Sequence, residues 1–163
     1  MIKRMLTAAS VTLILSSGFA QTNTVYLELF GNAVLGSINY DRMVTDNVSV
    51  RVGYGSISLD DRDPGLKAKI SITPIPITAN YLMGSGNHKL EIGAGILYIM
   101  VDGNVDLGGV SLAASGSVIA TTGVLGYRYH RDTGGFSFRA TVAPIMLEGE
   151  MLTMPGLSLG YTF

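Results

Sequence analysis

From Thr24 to the C-terminal Phe163 apolar side chains alternate with polar or small ones, segment after segment, and this period of two constrains the fold more than any motif. Val48, Val50, Val52 and Tyr54 share one face of a segment whose other face carries Ser49, Arg51, Gly53 and Gly55. Leu90, Ile92, Ala94, Ile96, Tyr98 and Met100 oppose Lys89, Glu91, Gly93, Gly95 and Leu97 in the same way. Phe136, Phe138, Ala140 and Val142 oppose Ser137, Arg139 and Thr141, and Leu157, Leu159, Tyr161 and Phe163 oppose Ser158, Gly160 and Thr162. Helical spacing with caps is absent from this part of the sequence, so it reads as strands. Beyond residue 20 no run approaches the roughly 20 consecutive apolar residues of a membrane helix.

Eight strands are expected, at Thr24–Phe30, Leu35–Val44, Val48–Leu59, Lys69–Leu82, His88–Val101, Gly116–Tyr129, Phe136–Leu147 and Gly156–Phe163. Residues 21–163 spread over eight strands give about 18 residues per strand and connection, as strands of roughly 9 to 11 residues with short turns require. Tight polar turns at 45–47, 84–87 and 131–135 alternate with the longer links 60–68, 102–115 and 148–155 and with one short link at 31–34. Outer-membrane barrels pair short periplasmic turns with longer external loops, and both termini then lie on the turn side.

Composition excludes other classes. With 47% hydrophobic and 14% charged residues the chain is too apolar for disorder, and a formal charge of -1 gives a nucleic-acid partner nothing to hold. The lack of cysteine excludes disulfides, thiolate metal sites and a lipidated N-terminal Cys. Lys3 and Arg4, the apolar run Met5–Leu15 and the small residues before Gln21 form a secretory signal peptide, so residues 1–20 are expected to be removed and 21–163 to form one barrel domain.

Alternation alone does not separate a membrane barrel from a soluble lipocalin-type barrel with its apolar face inward. Aromatic placement does. Tyr40, Tyr81, Tyr127, Tyr129, Phe136, Phe138, Tyr161 and Phe163 all lie on the apolar face within a few residues of a tight turn or the terminus, as an interfacial girdle requires.

The terminal Leu157-Ser-Leu-Gly-Tyr161-Thr-Phe163 resembles the last strand of bacterial outer-membrane barrels. The whole chain resembles the small eight-stranded barrels of the OmpA and OmpX kind. Segments such as Ser37–Arg42, Asn87–Gly95, Gly126–Tyr129 and Pro155–Tyr161 also resemble short barrels of Bacteroidetes-type bacteria. The resemblance implies an all-β, eight-stranded antiparallel up-and-down transmembrane barrel. It further implies that Tyr161 and Phe163 form the assembly signal read by the barrel-assembly machinery, that periplasmic chaperones deliver the chain, and that outer-membrane lipid and lipopolysaccharide surround it. Pro74, Pro76 and Pro144 depart from the pattern, and bulges or frayed pairing are expected there.

With the polar face inward, Glu28, Asp41, Arg51, Glu91, Arg128 and Arg139 point into the lumen as one charged layer of three carboxylates and three guanidiniums, with Asn39, Thr78, Asn80 and Thr141 as partners and Lys89 near the rim. An eight-stranded interior is just wide enough for side chains to fill, so this layer is expected to be a structural plug. His88 and His130 lie by periplasmic turns, at the wrong end for lipid-modifying chemistry, and no catalytic residue, cofactor or metal is assigned. Asp102-Gly-Asn104-Val-Asp106 lacks the Gly and the bidentate Glu of a calcium loop and reads as a turn. Asp60, Asp61, Arg62, Asp63, Lys67 and Lys69 read as a solvated external loop. Gly93, Gly95 and Gly108-Gly109 lack the strand-to-helix setting of a phosphate loop and are expected to relieve crowding. The expected function is that of a monomeric, non-enzymatic outer-membrane barrel with a structural role. The alternatives are binding or adhesion through the loops, a narrow pore, and a lipid-modifying barrel.

Overall fold

The computed structural model describes residues 22–163 apart from 64–65 and 108–109; the expected signal peptide and the Gly108-Gly109 stretch lie outside the described residues. The strands are β1 (Asn23–Phe30), β2 (Gly36–Met43), β3 (Val48–Tyr54), β4 (Ile57–Asp63), β5 (Leu66–Met83), β6 (His88–Leu107), β7 (Val110–Tyr129), β8 (Gly135–Leu147) and β9 (Glu150–Thr162). All pair antiparallel with their neighbours, β1 pairs β9, and β3 pairs β5, which closes the sheet into a barrel of eight strand positions.

The third expected strand is two strands here. β3 ends at Tyr54 and β4 starts at Ile57, both pairing with β5, β3 through Ile77–Tyr81 and β4 through Leu66–Ile72. Pro74 and Pro76 of β5 occupy the stretch between those two ladders, where Gly55 donates its N–H to the Pro74 carbonyl at 2.9 Å. A proline has no N–H to give a neighbour, so the adjacent strand breaks where two of them face it. Register with β6 on the other side runs unbroken from Leu66 to Met83. Pro144 frays its ladder in the same way, because β7 and β8 pair at Thr122↔Ile145 and again at Leu125↔Val142 but not between.

Three links expected as loops are largely strand. Residues 60–63 and 66–68 lie in β4 and β5, with Asp60 opposite Lys69, residues 102–107 and 110–115 lie in β6 and β7, with Asp102 opposite Ser115, and residues 150–155 lie in β9, with Glu150 opposite Leu147. β5, β6 and β7 therefore run 18, 20 and 20 residues, against 8 for β1 and for β2. They form, with β4, a wall that stands above the rest of the external rim.

Around the barrel proper the outward face is apolar and exposed, including Leu27, Ile38, Val52, Ile77, Ile92, Leu125, Val142 and Leu159. The inward face is polar and buried, which is the opposite of a lipocalin-type barrel. Among the described residues no helix is long and apolar enough to cross a membrane. Tyr40, Tyr81, Phe136, Tyr161 and Phe163 are exposed on the outer face at the turn end. Ring contacts of 5.3 to 6.5 Å link Tyr127 and Tyr129 to His88, Phe136 and Phe138, making a continuous aromatic band along β6, β7 and β8.

Candidate functional site

The lumen holds the densest chemistry of the molecule. Glu28, Asp41, Arg51, Glu91, Arg128 and Arg139 are all buried, none more than 3% exposed. Each occupies the inward parity of a different strand, and the barrel's curvature brings them together in two clusters, not one uniform layer.

The lower cluster joins four charges from β2, β6, β7 and β8. Arg128 donates through Nη1 and Nη2 to the two Asp41 oxygens, both at 2.9 Å, and through Nε and Nη2 to Glu91 at 3.1 and 2.8 Å. Arg139 donates to the same Glu91 carboxylate through Nε and Nη2, at 2.9 and 2.6 Å. A third donor of Arg139 goes to the Tyr26 hydroxyl, and its guanidinium lies 4.8 Å from the Tyr26 ring centre. Ser49 donates to Asp41 at 3.1 Å. Two carboxylates balance two guanidiniums, so the cluster is neutral. Bidentate geometry of this kind offsets much of the desolvation cost of burying charge.

The upper cluster is built around a link expected at the external surface. The link after β1 instead folds into the lumen as a 3-10 turn, Gly31–Ala33, with Gly31, Asn32 and Ala33 buried. Arg51 donates to Asn32 Oδ1 at 2.6 Å and to Glu28 at 3.4 Å, while Asn32 donates to Thr122 Oγ1 at 2.6 Å and to the Gly123 carbonyl at 3.2 Å. Thr122 passes the chain on to the Pro144 carbonyl at 3.1 Å, an acceptor that the frayed β7–β8 ladder leaves available. Backbone strain flanks the turn: Phe30 has φ 59° and Val34 φ 72°, the latter in a tight turn in which Leu35 N–H bonds the Ala33 carbonyl at 2.9 Å. A β-branched residue rarely adopts positive φ, so the buried contacts of Asn32 must hold the turn in place. Nothing in the sequence pattern marks Asn32, because its partners come from β3 and β7 and depend on three-dimensional register.

The interior is tight at this level. A Cβ on Gly53 would clash with Asn39 Oδ1, and one on Gly93 with Asn80 Oδ1. Pro76 also lies within 2.8 Å of such a Cβ at Gly53 and the Ala79 carbonyl within 2.8 Å at Gly93, so a larger residue at either position would force the surrounding groups to shift. Asn39, Thr78, Asn80, Thr141 and Ser158 each keep a buried polar atom without a protein partner, the kind of position that internal water satisfies.

Above the polar lumen the lining becomes apolar. Leu97, Ala120 and Ile145 form a buried cluster, with Val34, Ile99, Leu147 and Met154 packed on it. On the wall beyond, the same inward parity continues as Ile57, Leu59, Ile70, Ile72, Val101 and Leu112, while the outward parity becomes Ser58, Ser71, Thr73, Asp102, Ser115 and Ser117. The polarity of the two faces is thus reversed relative to the barrel below.

The remaining sequence candidates are dispersed. His88 Nδ1 lies 2.6 Å from the Tyr127 hydroxyl at the turn end, and His130 lies buried 3.1 Å from Asp132. Burial, reinforced by the Arg128 guanidinium, holds the His130 imidazole below its ordinary pKa, against the opposing pull of Asp132. Asp102, Asn104 and Asp106 lie within strand β6, and among the described residues no group of three or more His, Asp or Glu is placed to hold a metal ion.

No protein-family model matches the chain, and no curated protein does. Solved structures do. The N-terminal β-barrel domain of Pseudomonas aeruginosa OprF matches with a TM-score of 0.58 at 15% identity, over 88% of this chain and 96% of that one. Ail, the attachment invasion locus protein of Yersinia pestis, matches with 0.55 at 12% identity over 88% and 97%, and with 0.57 in its complex with the heparin analogue sucrose octasulfate. A major outer membrane protein from Thermus thermophilus matches with 0.52 at 13% identity over 89% and 99%. The fold is that of the small eight-stranded outer-membrane β-barrels, of the OmpA and OmpX kind.

Proposed function

We propose that this chain is a monomeric, non-enzymatic barrel of the bacterial outer membrane, exported through a cleaved signal peptide, with a sealed lumen and a structural role in the envelope. One observation carries the reading: the cross-section is spanned by the Asp41–Arg128–Glu91–Arg139 cluster and, above it, by the tucked turn that Asn32 ties to Arg51 and Thr122. The apolar outer belt matches a lipid surround, and Tyr161 and Phe163, exposed on the last strand, are the side chains the assembly machinery would read. Planar-bilayer recording tests the seal. No reproducible conductance is expected, and channels that vanish in lumen variants would overturn it.

A second reading, binding at the external end, is favoured by the wall that β4 to β7 raise above the rim. One structure of Ail holds the heparin analogue sucrose octasulfate. The external segments here hold seven acids and three bases, which disfavours a polyanion and directs attention to ligands of the other sign.

A further inference from the structure

We propose that the niche filled by Asn32 is a recognition site for small solutes bearing a primary carboxamide, and that the tucked turn is a releasable plug whose own carboxamide occupies the site at rest. The proposal goes beyond a structural role, and it rests on the sealed lumen only for the floor of the site, the Asp41–Arg128–Glu91–Arg139 cluster.

The first observation is the completeness of the contacts. A primary carboxamide offers one carbonyl oxygen and two N–H donors. Arg51 Nη2 donates to the Asn32 oxygen at 2.6 Å, and the Asn32 nitrogen donates to Thr122 Oγ1 at 2.6 Å and to the Gly123 carbonyl at 3.2 Å. The oxygen is thus met by β3 and the nitrogen by β7, each with a partner of the right sign. A carboxylate in the same place would set an oxygen against the Gly123 carbonyl and leave that acceptor unpaired, so the niche selects the amide. Its lining is made available by Pro144. Gly123 lies in the gap of the β7–β8 ladder between Thr122↔Ile145 and Leu125↔Val142, and the Pro144 carbonyl accepts from Thr122 at 3.1 Å.

The second observation is strain. Phe30 has φ 59° and ψ -134°, and Val34 has φ 72° and ψ -55°. With the Leu35 N–H bonded to the Ala33 carbonyl at 2.9 Å, Val34 is the centre of a γ-turn of the rare hand, which is costly for a β-branched residue. Release lets both residues return to negative φ. Strain therefore opposes docking while the amide contacts oppose release, and a solute that takes over those contacts shifts the balance.

The third observation is the shape of the seat. A Cβ on Gly156 would lie 3.0 Å from Gly31 Cα, and one on Gly55 would lie 3.3 Å from Ala33 Cβ, so missing side chains make the room that the turn fills. Phe30 and Leu35 at its two ends are 47 and 52% exposed, whereas Asn32 and Ala33 are fully buried. The turn is hinged at the surface and only its tip enters the lumen. Beside that tip, Arg51 Nε and Thr141 Oγ1 are buried without a protein partner, and both gain water when the turn leaves.

The test uses the full barrel in phosphatidylcholine nanodiscs and exploits the absence of cysteine from the chain. Ala33→Cys places a thiol on the buried tip, and its labelling by a water-soluble maleimide reports release; Val34→Cys serves as a second reporter. The boiling-dependent gel shift confirms that each variant is folded. Labelling should be slow at rest and should be accelerated, saturably, by acetamide but not by acetate or by N,N-dimethylacetamide, which has no N–H to donate. Asn32→Gly in the same chain leaves a gap the size of acetamide. Labelling there should be about tenfold faster or more without additive, since buried groups lose their partners, and acetamide should slow it by filling the gap. Thr122→Val should abolish both responses. Equal effects of acetamide and dimethylacetamide, effects that persist in Thr122→Val, or folded reporters indifferent to acetamide in both backgrounds would overturn the proposal. Planar-bilayer recording separates this site from the seal beneath it: silence is expected with acetamide present, channels opened only by acetamide would overturn the closed floor of the site, and channels in its absence would overturn the sealed lumen while the labelling still decides the carboxamide site.

Discussion

The barrel and the wall above it are written in the same alternating code with opposite polarity. On β5, Thr78 and Asn80 point inward and Ile77 and Tyr81 outward, yet a few residues up the same strand Ile70 and Ile72 take the inward parity and Ser71 and Thr73 the outward one. The register with β6 does not slip between them, so no bulge produces the change. What changes is the surroundings of each face. Where lipid lies outside, the outward residues must be apolar and the lumen is left to hydrogen bonds and ion pairs; above the lipid the outward face meets water and turns polar. Strand periodicity therefore specifies the sheet, and the sign of the pattern reports what each face touches.

The comparison breaks most sharply if the lower lumen is damaged. Glu91 accepts from two buried arginines, and Glu91→Ala leaves both guanidiniums short of a partner. A loss of about 3 to 5 kcal/mol is expected, read as a lowered temperature for the heat-dependent gel shift. Leu112→Ala on the wall, where the side chain is 62% exposed, should cost less than about 1 kcal/mol. Similar losses at the two sites would mean that the lower cluster is not holding the barrel.

A charge on the outer face sharpens the contrast between lipid and water. Ile96→Lys, on the lipid-facing belt of β6 four residues beyond the level of the girdle residue Tyr81, should destabilise the folded barrel by about 2 to 4 kcal/mol. Ser71→Lys has the same outward parity on the wall and should be nearly silent, measured by urea unfolding in the same lipid. If Ser71→Lys were as costly, the lipid would reach higher than the polarity reversal places it.

The tucked turn between these regions predicts an intermediate effect. Asn32→Ala removes the acceptor of Arg51 and the donor to Thr122, so a loss of about 1 to 3 kcal/mol is expected from buried groups left unpaired. The same variant should admit proteolysis near Gly31, because the strained Phe30 and Val34 lose the contacts that hold them. A variant as stable and as protease-resistant as the parent would show that the turn is held by packing alone.

Much of this is legible from residues. Parity puts Glu28, Asp41, Arg51, Glu91, Arg128 and Arg139 on one face, since each neighbours residues that only lipid would accommodate. Which carboxylate meets which guanidinium is not legible, because that depends on the stagger between strands distant in sequence, as with Asp41 and Arg128. The break between β3 and β4 is half visible: Pro74 and Pro76 announce a fault, but the fault falls in the partner strand, at Gly55 and Ser56. The polar stretches 60–68 and 102–115 read as loops for a sound local reason, their charge and glycine content. Their described residues are strand whose outward face has left the lipid, and a reading that assumes one polarity throughout misses them.

The smallest expected effect sits at the opposite end of the barrel from the wall, at His130. Burial and the neighbouring Arg128 hold its folded pKa below the ordinary value of 6.5, with Asp132 and Asp41 pulling the other way and Lys89 adding to the lowering. Between the folded pKa and 6.5 the unfolded chain binds more protons than the folded one, so stability should decline as pH falls below about 6.5 and level off once the folded histidine is itself protonated. Above neutrality both states hold a neutral imidazole and the contribution is constant. His130→Gln should flatten this segment of the stability profile without altering the value near pH 8 by more than the loss of the 3.1 Å contact to Asp132, which is exposed and weak. A profile that declines equally in His130→Gln would transfer the acid sensitivity from the rim to the carboxylates of the lumen.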